Sequence, residues 1–385
     1  MISPAQIPYY NQQEKRDKFM YRQRSITWFQ ASAVVISSII GGGVLDIPRI
    51  AAATADSGAP LITLAGIAIA LLGIWLITVL GMRFPKENLF QYSQHILGKP
   101  VAYSVNLCMV LFFVILTALT VRQFGEVVVS AVLRKTPIEV TIIILLLLAT
   151  VTTRRNIIRF SYIHMFYLPF ILGPVLGIAL ISLQNAEVLN LQPIIGNHPK
   201  DVIGGGLSIT ALFQSSLIIT LIIPFMKKPE KSLRSSMLGG TIAGLLYFII
   251  VISTVAAFGP QETIQLIWPT LEIARLTSLP GKIFERLDAI FIAVLVITVF
   301  TTIYATYYLA SYAARETFGL KDHGFLSSFL LPFLYLVAMI PQDIFQLYRM
   351  GEIVGKVGLS LTLGYPLLLW IIAVIRKIRG NPVEE

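Results

Sequence analysis

Gly41, Gly42 and Gly43 are consecutive, and they interrupt an apolar run that extends from Ile26 to Ala53. Asp46, Pro48 and Arg49 follow in the string SSIIGGGVLDIPR. Glycine in a helix interior costs roughly 1 kcal/mol relative to alanine. A triplet inside an apolar run therefore predicts a broken helix, one half ending near Ile40 and the next starting near Leu45. The break frees the peptide groups of Gly41, Gly42, Gly43 and Val44, which can hold the polar end of a small ligand. The N-terminus of the second half favours a carboxylate or another anionic group. Pro48 fits the first turn of that half, where its missing N–H costs little. The competing reading is close approach of another helix to three small residues.

Other polar residues inside apolar runs could complete such a site. Thr298, Thr302 and Thr306 recur at i, i+4 and i+8 on one helix face, with Thr301 beside them. Their hydroxyls can bind a ligand or a monovalent cation, or can bond back to the preceding turn. Gln214, Ser215, Ser216 and Thr220 form the polar patch of another run, with Pro224 beyond. Phe113 and Thr117 lie mid-run on one face of a third. Ionisable groups within apolar runs need partners. Asp46 with Arg49, Arg122 with Glu126, and Asp288 predict a charge network, in preference to direct ligand contact. His164 is expected to cap a helix or sit at an interface, one turn into its run. The run Phe160–Leu183 carries no Lys or Arg, which argues against a basic proton carrier there. The sequence holds no metal-ligand cluster, nucleophile elbow or phosphate loop, so neither enzyme chemistry nor a metal or cofactor is expected.

The elements that must position these residues follow from composition. Of 385 residues, 56% are hydrophobic and only 13% charged, with a mean hydropathy of +0.77. Soluble domains run near 25% charged. The reading is an all-α polytopic membrane protein surrounded by lipid. Ten crossings are predicted: 26–53, 59–82, 101–133, 138–152, 160–183, 204–226, 237–258, 287–312, 325–341 and 357–375. Each supplies about the 20 apolar residues that a span needs, the fourth being short and the third long. With the N-terminus placed in the cytoplasm, the inner segments hold twenty Lys and Arg and the outer ones seven. That asymmetry puts both termini inside. It also accounts for the net charge of +10 without a nucleic-acid partner. Residues 1–25 read as a basic cytoplasmic tail without a cleavable signal, and 376–385 as a second tail. The single Cys108 allows no intramolecular disulfide and reads as packing. A short helix is expected around Leu89, Tyr92 and Ile96, closed by Gly98 and Pro100, and another within 260–286.

Discontinuous helices in transporters occur in pairs at matching positions of two inverted repeats. Ten crossings divide into a first half, 26–183, and a second, 204–375, joined by the outer loop 184–203. The glycine triplet then matches Gln214–Thr220, while Gly204–Gly206 sits at the entrance of its run.

This arrangement resembles the amino acid–polyamine–organocation superfamily, with its LeuT-like five-plus-five inverted repeat and discontinuous helices 1 and 6. Three further strings narrow the resemblance. GGGVLDIPR is similar to the first-span element of the spore-germination permease-like family, the B subunits of bacterial nutrient germinant receptors. WPTLEIARL followed by FERLDAIFIAVLVITVF resembles that family's outer helix and eighth span, and IPFMKKPEKSLR its basic inner loop. The sequence departs from the pattern at Asp46, where an uncharged residue is more usual. The resemblance implies a sensor in the spore inner membrane. A small nutrient, often an amino acid, binds in a central pocket between spans one, three, six and eight, and A and C receptor subunits act beside it. An ion-coupled amino-acid transporter and an ion-conducting subunit remain open as alternatives.

Overall fold

The computed structural model describes residues 25–133, 135–193, 202–276, 287–320 and 322–380, the side chains of 287–289 excepted. The first helix starts where a capping box allows it. Gln30 N–H donates to Thr27 Oγ1 (3.3 Å), and Thr27 N–H donates to Gln30 Oε1 (2.8 Å). From there α1 (Trp28–Ile39) runs into the glycines and stops, and α2 (Gly43–Ala55) resumes beyond them. The helix is broken, as its composition predicts. It restarts at Gly43 instead of near Leu45. Pro48 therefore stands in the second turn of α2, where its ring removes the hydrogen bond to Val44.

Next come α3 (Ala59–Arg83), the short α4 (Leu89–Leu97), α5 (Lys99–Ala131), α6 (Ile138–Thr153) and α7 (Ile157–Ser182). Asn88 caps α4 through the amides of Phe90 and Gln91. Gly98, at φ +83°, ends it, and Pro100 opens α5 instead of closing α4. The 33 residues of α5 make about 50 Å of helix, well beyond the roughly 30 Å apolar core of a bilayer.

The second interruption takes a different form. α8 (Val202–Thr210) leads into a 3₁₀ stretch over Ala211–Ile218, the single turn α9 (Ile219–Ile222) and a further 3₁₀ turn at Ile223–Phe225. The chain overwinds through Gln214–Ser216, and does not open. Long 3₁₀ runs are uncommon and mark hinges. The nearby triplet Gly204–Gly206 does not break its helix. A Cβ on Gly205 would stand 2.6 Å from Thr54 Cγ2, and one on Gly66 of α3 only 2.7 Å from the Gly206 carbonyl oxygen. Gly205 and Gly206 serve close packing.

Further along are α10 (Ser232–Phe258), α11 (Pro260–Gln265) and α12 (Pro269–Leu276). Where one short helix is expected within 260–286, the described residues 260–276 hold two, because Pro269 starts a new one. α13 (Leu287–Phe318) and α14 (His323–Ala338) follow. α15 (Ile344–Leu359) passes through a π-helical turn at Ser360–Gly364 into α16 (Tyr365–Ile375). α15 begins thirteen residues before the predicted Val357, because Asp343 caps it through the Gln346 amide (2.7 Å).

α1 is enclosed by α7, α10 and α13, and α13 packs along α5. Every residue of α1 from Gln30 to Ile39 is buried. Large apolar side chains such as Leu111, Ile144, Phe166, Phe333 and Ile375 are exposed around the bundle. Seven helical stretches among the described residues are long and apolar enough to cross a membrane, with Trp28–Ile39, Ile138–Thr153 and His323–Ala338 as shorter apolar helices. The chain is an integral membrane protein. Cys108, expected to be buried, is exposed on α5.

We call the end of the bundle that carries Ile26 basal and the opposite end apical. At the basal end the two interrupted segments are clipped together. Ile26 N–H donates to the Phe225 carbonyl (3.2 Å), and Lys227 N–H donates to the Ile26 carbonyl (2.9 Å). The Arg234 guanidinium lies 5.0 Å over the Trp28 ring beside this bridge. Arg83 caps the end of the last helix by donating to the carbonyls of Ile378 (2.6 Å) and Ala373 (2.8 Å).

Candidate functional site

A helix that stops inside a bundle leaves its last carbonyls without intrahelical partners. In α1 the Ile36 carbonyl still accepts from Ile40 N–H (3.0 Å). The next three carbonyls are taken by hydroxyls from three other segments. Thr301 Oγ1 donates to Ser37 O (3.0 Å). Ser215 Oγ (2.7 Å) and Thr302 Oγ1 (3.0 Å) both donate to Ser38 O. The Tyr247 hydroxyl donates to Ile39 O (2.7 Å). Beyond the break the chain closes its own turns, Val44 N–H on Gly41 O (3.2 Å) and Leu45 N–H on Gly42 O (3.0 Å). The carbonyl that Pro48 frees, Val44 O, accepts from Thr270 Oγ1 of α12 (2.6 Å). Gly42 at the head of α2 makes no side-chain cap.

The three glycines are needed because neighbours crowd them. A Cβ on Gly41 would overlap the Thr302 side chain. One on Gly42 would stand 2.8 Å from Gln123 Oε1, and one on Gly43 3.0 Å from the Tyr247 hydroxyl. The carbonyls at the break are thus held by protein groups, and neighbouring side chains crowd its glycines among the described residues. A small cavity of about 20 Å³, room for one water, lies to one side, lined in part by Thr210, Gln214, Ser216 and Thr362. A wider cleft of about 370 Å³ opens at the apical end among Ser130, Gln265, Trp268, Glu272 and Arg275.

Of the residues expected at the site, Gly41, Gly42, Gly43, Val44, Ser215, Thr301 and Thr302 come together at the break. The others stand apart. Thr298 bonds back to Val294 O (2.7 Å). Thr306 bonds back to Thr302 O (3.0 Å) and meets Thr117 Oγ1 at 2.9 Å. Phe113 is buried edge-on against Phe112. Gln214 turns away to the Gly355 carbonyl of α15 (2.7 Å), and Ser216 lines the small cavity beside it.

The charge network divides in two. Arg122 and Glu126 form an ion pair at 2.8 Å, beside Met339 Sδ. Asp46 and Arg49 meet through a third residue. Tyr348 donates its hydroxyl to Asp46 Oδ1 (2.8 Å), while the Arg49 guanidinium lies 4.7 Å over the Tyr348 ring. Gln123 Nε2 donates to Asp46 Oδ2. The Asp288 side chain lies outside the described residues. His164, expected near an interface, is fully buried against Phe160 and Tyr304, with Nδ1 2.5 Å from Ser37 Oγ.

Tyr247, Thr270, Gln123 and Tyr348 are site residues that sequence reasoning missed. Gln123 carried a signal, being an uncharged polar group one position from Arg122 in an apolar run. Tyr348 falls between the predicted crossings 325–341 and 357–375, and Tyr247 has no polar neighbour to mark it.

Two interrupted segments that touch at Ser38 and Ser215, inside a bundle of long apolar helices, define the class: a membrane protein with the LeuT-like transporter fold. The solved structure of MhsT in complex with L-phenylalanine superposes with a TM-score of 0.66 at 13% identity, covering 91% of this chain and 89% of that one. Mhp1, a nucleobase-cation-symport-1 family transporter, gives 0.61 at 14% identity, over 90% of this chain and 80% of its own. Residues 25–347 match the spore germination protein family, and the chain belongs to it. Spore germination protein YndE of Bacillus subtilis (strain 168) is 27% identical over 357 residues, 92% of this chain and 98% of the relative.

Proposed function

We propose that this chain is the nutrient-sensing subunit of a germinant receptor. A small nutrient, best an amino acid, binds at the break between α1 and α2 and triggers germination. One observation carries the reading: the carbonyls of Ser37, Ser38 and Ile39 are held by hydroxyls from Ser215, Tyr247, Thr301 and Thr302. A polar guest that competes for those hydroxyls, or for the amides beyond them, changes how α1 is tied to three other segments. The arrangement is a closed state, which the guest must open by binding the open state more tightly. Binding and conformational change, without covalent chemistry, account for the site. MhsT, whose fold this chain shares, was solved with L-phenylalanine, which supports an amino-acid ligand.

In this reading the basal end faces the cytoplasm with both termini, in the spore inner membrane. The halves 26–183 and 204–375 form the two repeats. Gly41–Val44, Phe113, Thr117, Gln214–Ser216, Thr298, Thr301, Thr302 and Thr306 surround the guest in its open state, and the A and C subunits receive the signal. The test is Gly42→Leu, which forces Gln123 off the break. The variant should remain folded in the membrane and lose its nutrient response by at least about tenfold in dose. A wild-type dose response from the variant contradicts the reading.

A second reading, an ion-coupled amino-acid transporter, draws support from the symporter fold itself. Gradient-driven accumulation of labelled amino acid in proteoliposomes favours it over the sensor.

A further inference from the structure

Asp46 is 6% exposed and belongs to the first turn of α2. Both of its carboxylate oxygens are met by neutral donors, the Tyr348 hydroxyl and the Gln123 amide. The Arg49 guanidinium lies over the Tyr348 ring and acts on Asp46 through space, but no ion pair joins the two among the described residues. Neutral donors satisfy the lone pairs, and no cation is in contact with the carboxylate among the described residues. Such a group is costly in apolar surroundings, and an ionisable residue kept inside a membrane bundle marks a ligand or ion site.

Its position says which site. Gln123 holds Asp46 with its nitrogen, while its oxygen lies against Gly42, so this one side chain stands between the carboxylate and the break. Asp46 is three residues beyond Gly43. At 1.5 Å per residue its Cα is about 4.5 Å further along the axis, and its side chain leans back over the turn that starts at the break. With Gln123 swung aside, the carboxylate faces the space next to the glycine amides.

We propose that Asp46 is the counter-charge for an ammonium group on the ligand, which replaces the Gln123 amide on Oδ2. The proposal rests on the reading that the break is the ligand site, and it narrows the ligand to a free amino acid or an amine. A zwitterion fits at both ends, with ammonium on Asp46 and carboxylate on the amides at the head of α2. A carboxylic acid without an amine sets a second negative charge beside Asp46, and a sugar or nucleoside leaves the aspartate uncompensated.

The test uses the full-length protein in nanodiscs and the melting temperature as the readout. The probes are the twenty L-amino acids singly, ethylamine, propionate, inosine and glucose. Wild-type protein should be shifted by ammonium-bearing compounds alone. Asp46→Asn should need at least about thirtyfold more of the active compound, and Asp46→Glu should recover to within about fivefold of wild type. Should the Asn variant fail to fold, the Glu variant and the wild-type panel still decide. The proposal is overturned if inosine, glucose or propionate shifts the wild type, if no ammonium-bearing probe does, or if Asp46→Asn responds within about threefold of wild type. An uncharged ligand whose effect is lost in Gly42→Leu but kept in Asp46→Asn overturns the role of Asp46 and leaves the break as the site. A ligand that neither variant affects overturns both.

Discussion

At the scale of single residues, the site is a set of hydroxyls that finish a helix which the glycines cut short. A buried carbonyl without a partner costs about 1–3 kcal/mol, more than the net gain of an ordinary hydrogen bond. Tyr247→Phe removes the donor to Ile39 O without changing the shape of the ring. The variant should lose about 1–3 kcal/mol of stability, read as a lower melting temperature in nanodiscs, and should change the ligand dose response in the same sample. An unchanged melting temperature would show that the bond contributes nothing. The glycines themselves were legible, because they interrupt the middle of an apolar run and Pro48 follows them. So were Thr301, Thr302 and Ser215. Their partners in the bond were not: in the sequence a threonine facing a foreign carbonyl looks the same as Thr298, which bonds back to its own helix. Which of the two a hydroxyl does depends on whether a neighbouring helix has ended beside it.

At the scale of elements, two interrupted segments differ in how they are interrupted. One opens at three glycines and the other tightens into 3₁₀ turns around Gln214–Ser216. The two glycine triplets differ in the sequence by position, one within its apolar run and the other at the entrance of its run. Beside the break at Gly41–Gly43, foreign hydroxyls hold the carbonyls of Ser37, Ser38 and Ile39. Gly204–Gly206 stay helical because Gly66 of α3 packs against them. Tertiary neighbours decide, and periodicity cannot show them. The same holds for α15, whose mixed polar sequence concealed a helix that Asp343 starts. The two segments meet again at the basal clip, where Ile26 exchanges backbone bonds with Phe225 and Lys227. The clip ties their basal ends together. Lys227→Pro removes one of its two donors. Hydrogen exchange at the Ile26 amide should then quicken by about tenfold, the equivalent of about 1.4 kcal/mol of lost local protection. Exchange that stays at the wild-type rate contradicts a clip with that role.

At the scale of the whole molecule, composition alone marked a membrane protein, and the spacing of apolar runs gave most of its helices. The resemblance carried by GGGVLDIPR and WPTLEIARL agrees with the family to which residues 25–347 belong. The closed packing around the break was not legible, because no sequence pattern distinguishes a pocket from the side chains that fill it. In the proposed function, the resting protein holds α1 by its last carbonyls and a guest releases it. Hydrogen exchange across the full-length protein in nanodiscs, with and without an amino acid that shifts its melting temperature, tests this most directly. The account predicts ligand-dependent change in exchange at 37–44 and 211–218, with the apical cleft around Trp268 and Arg275 responding less. Saturating ligand that leaves both breaks unchanged, and protects the apical cleft alone, would contradict it.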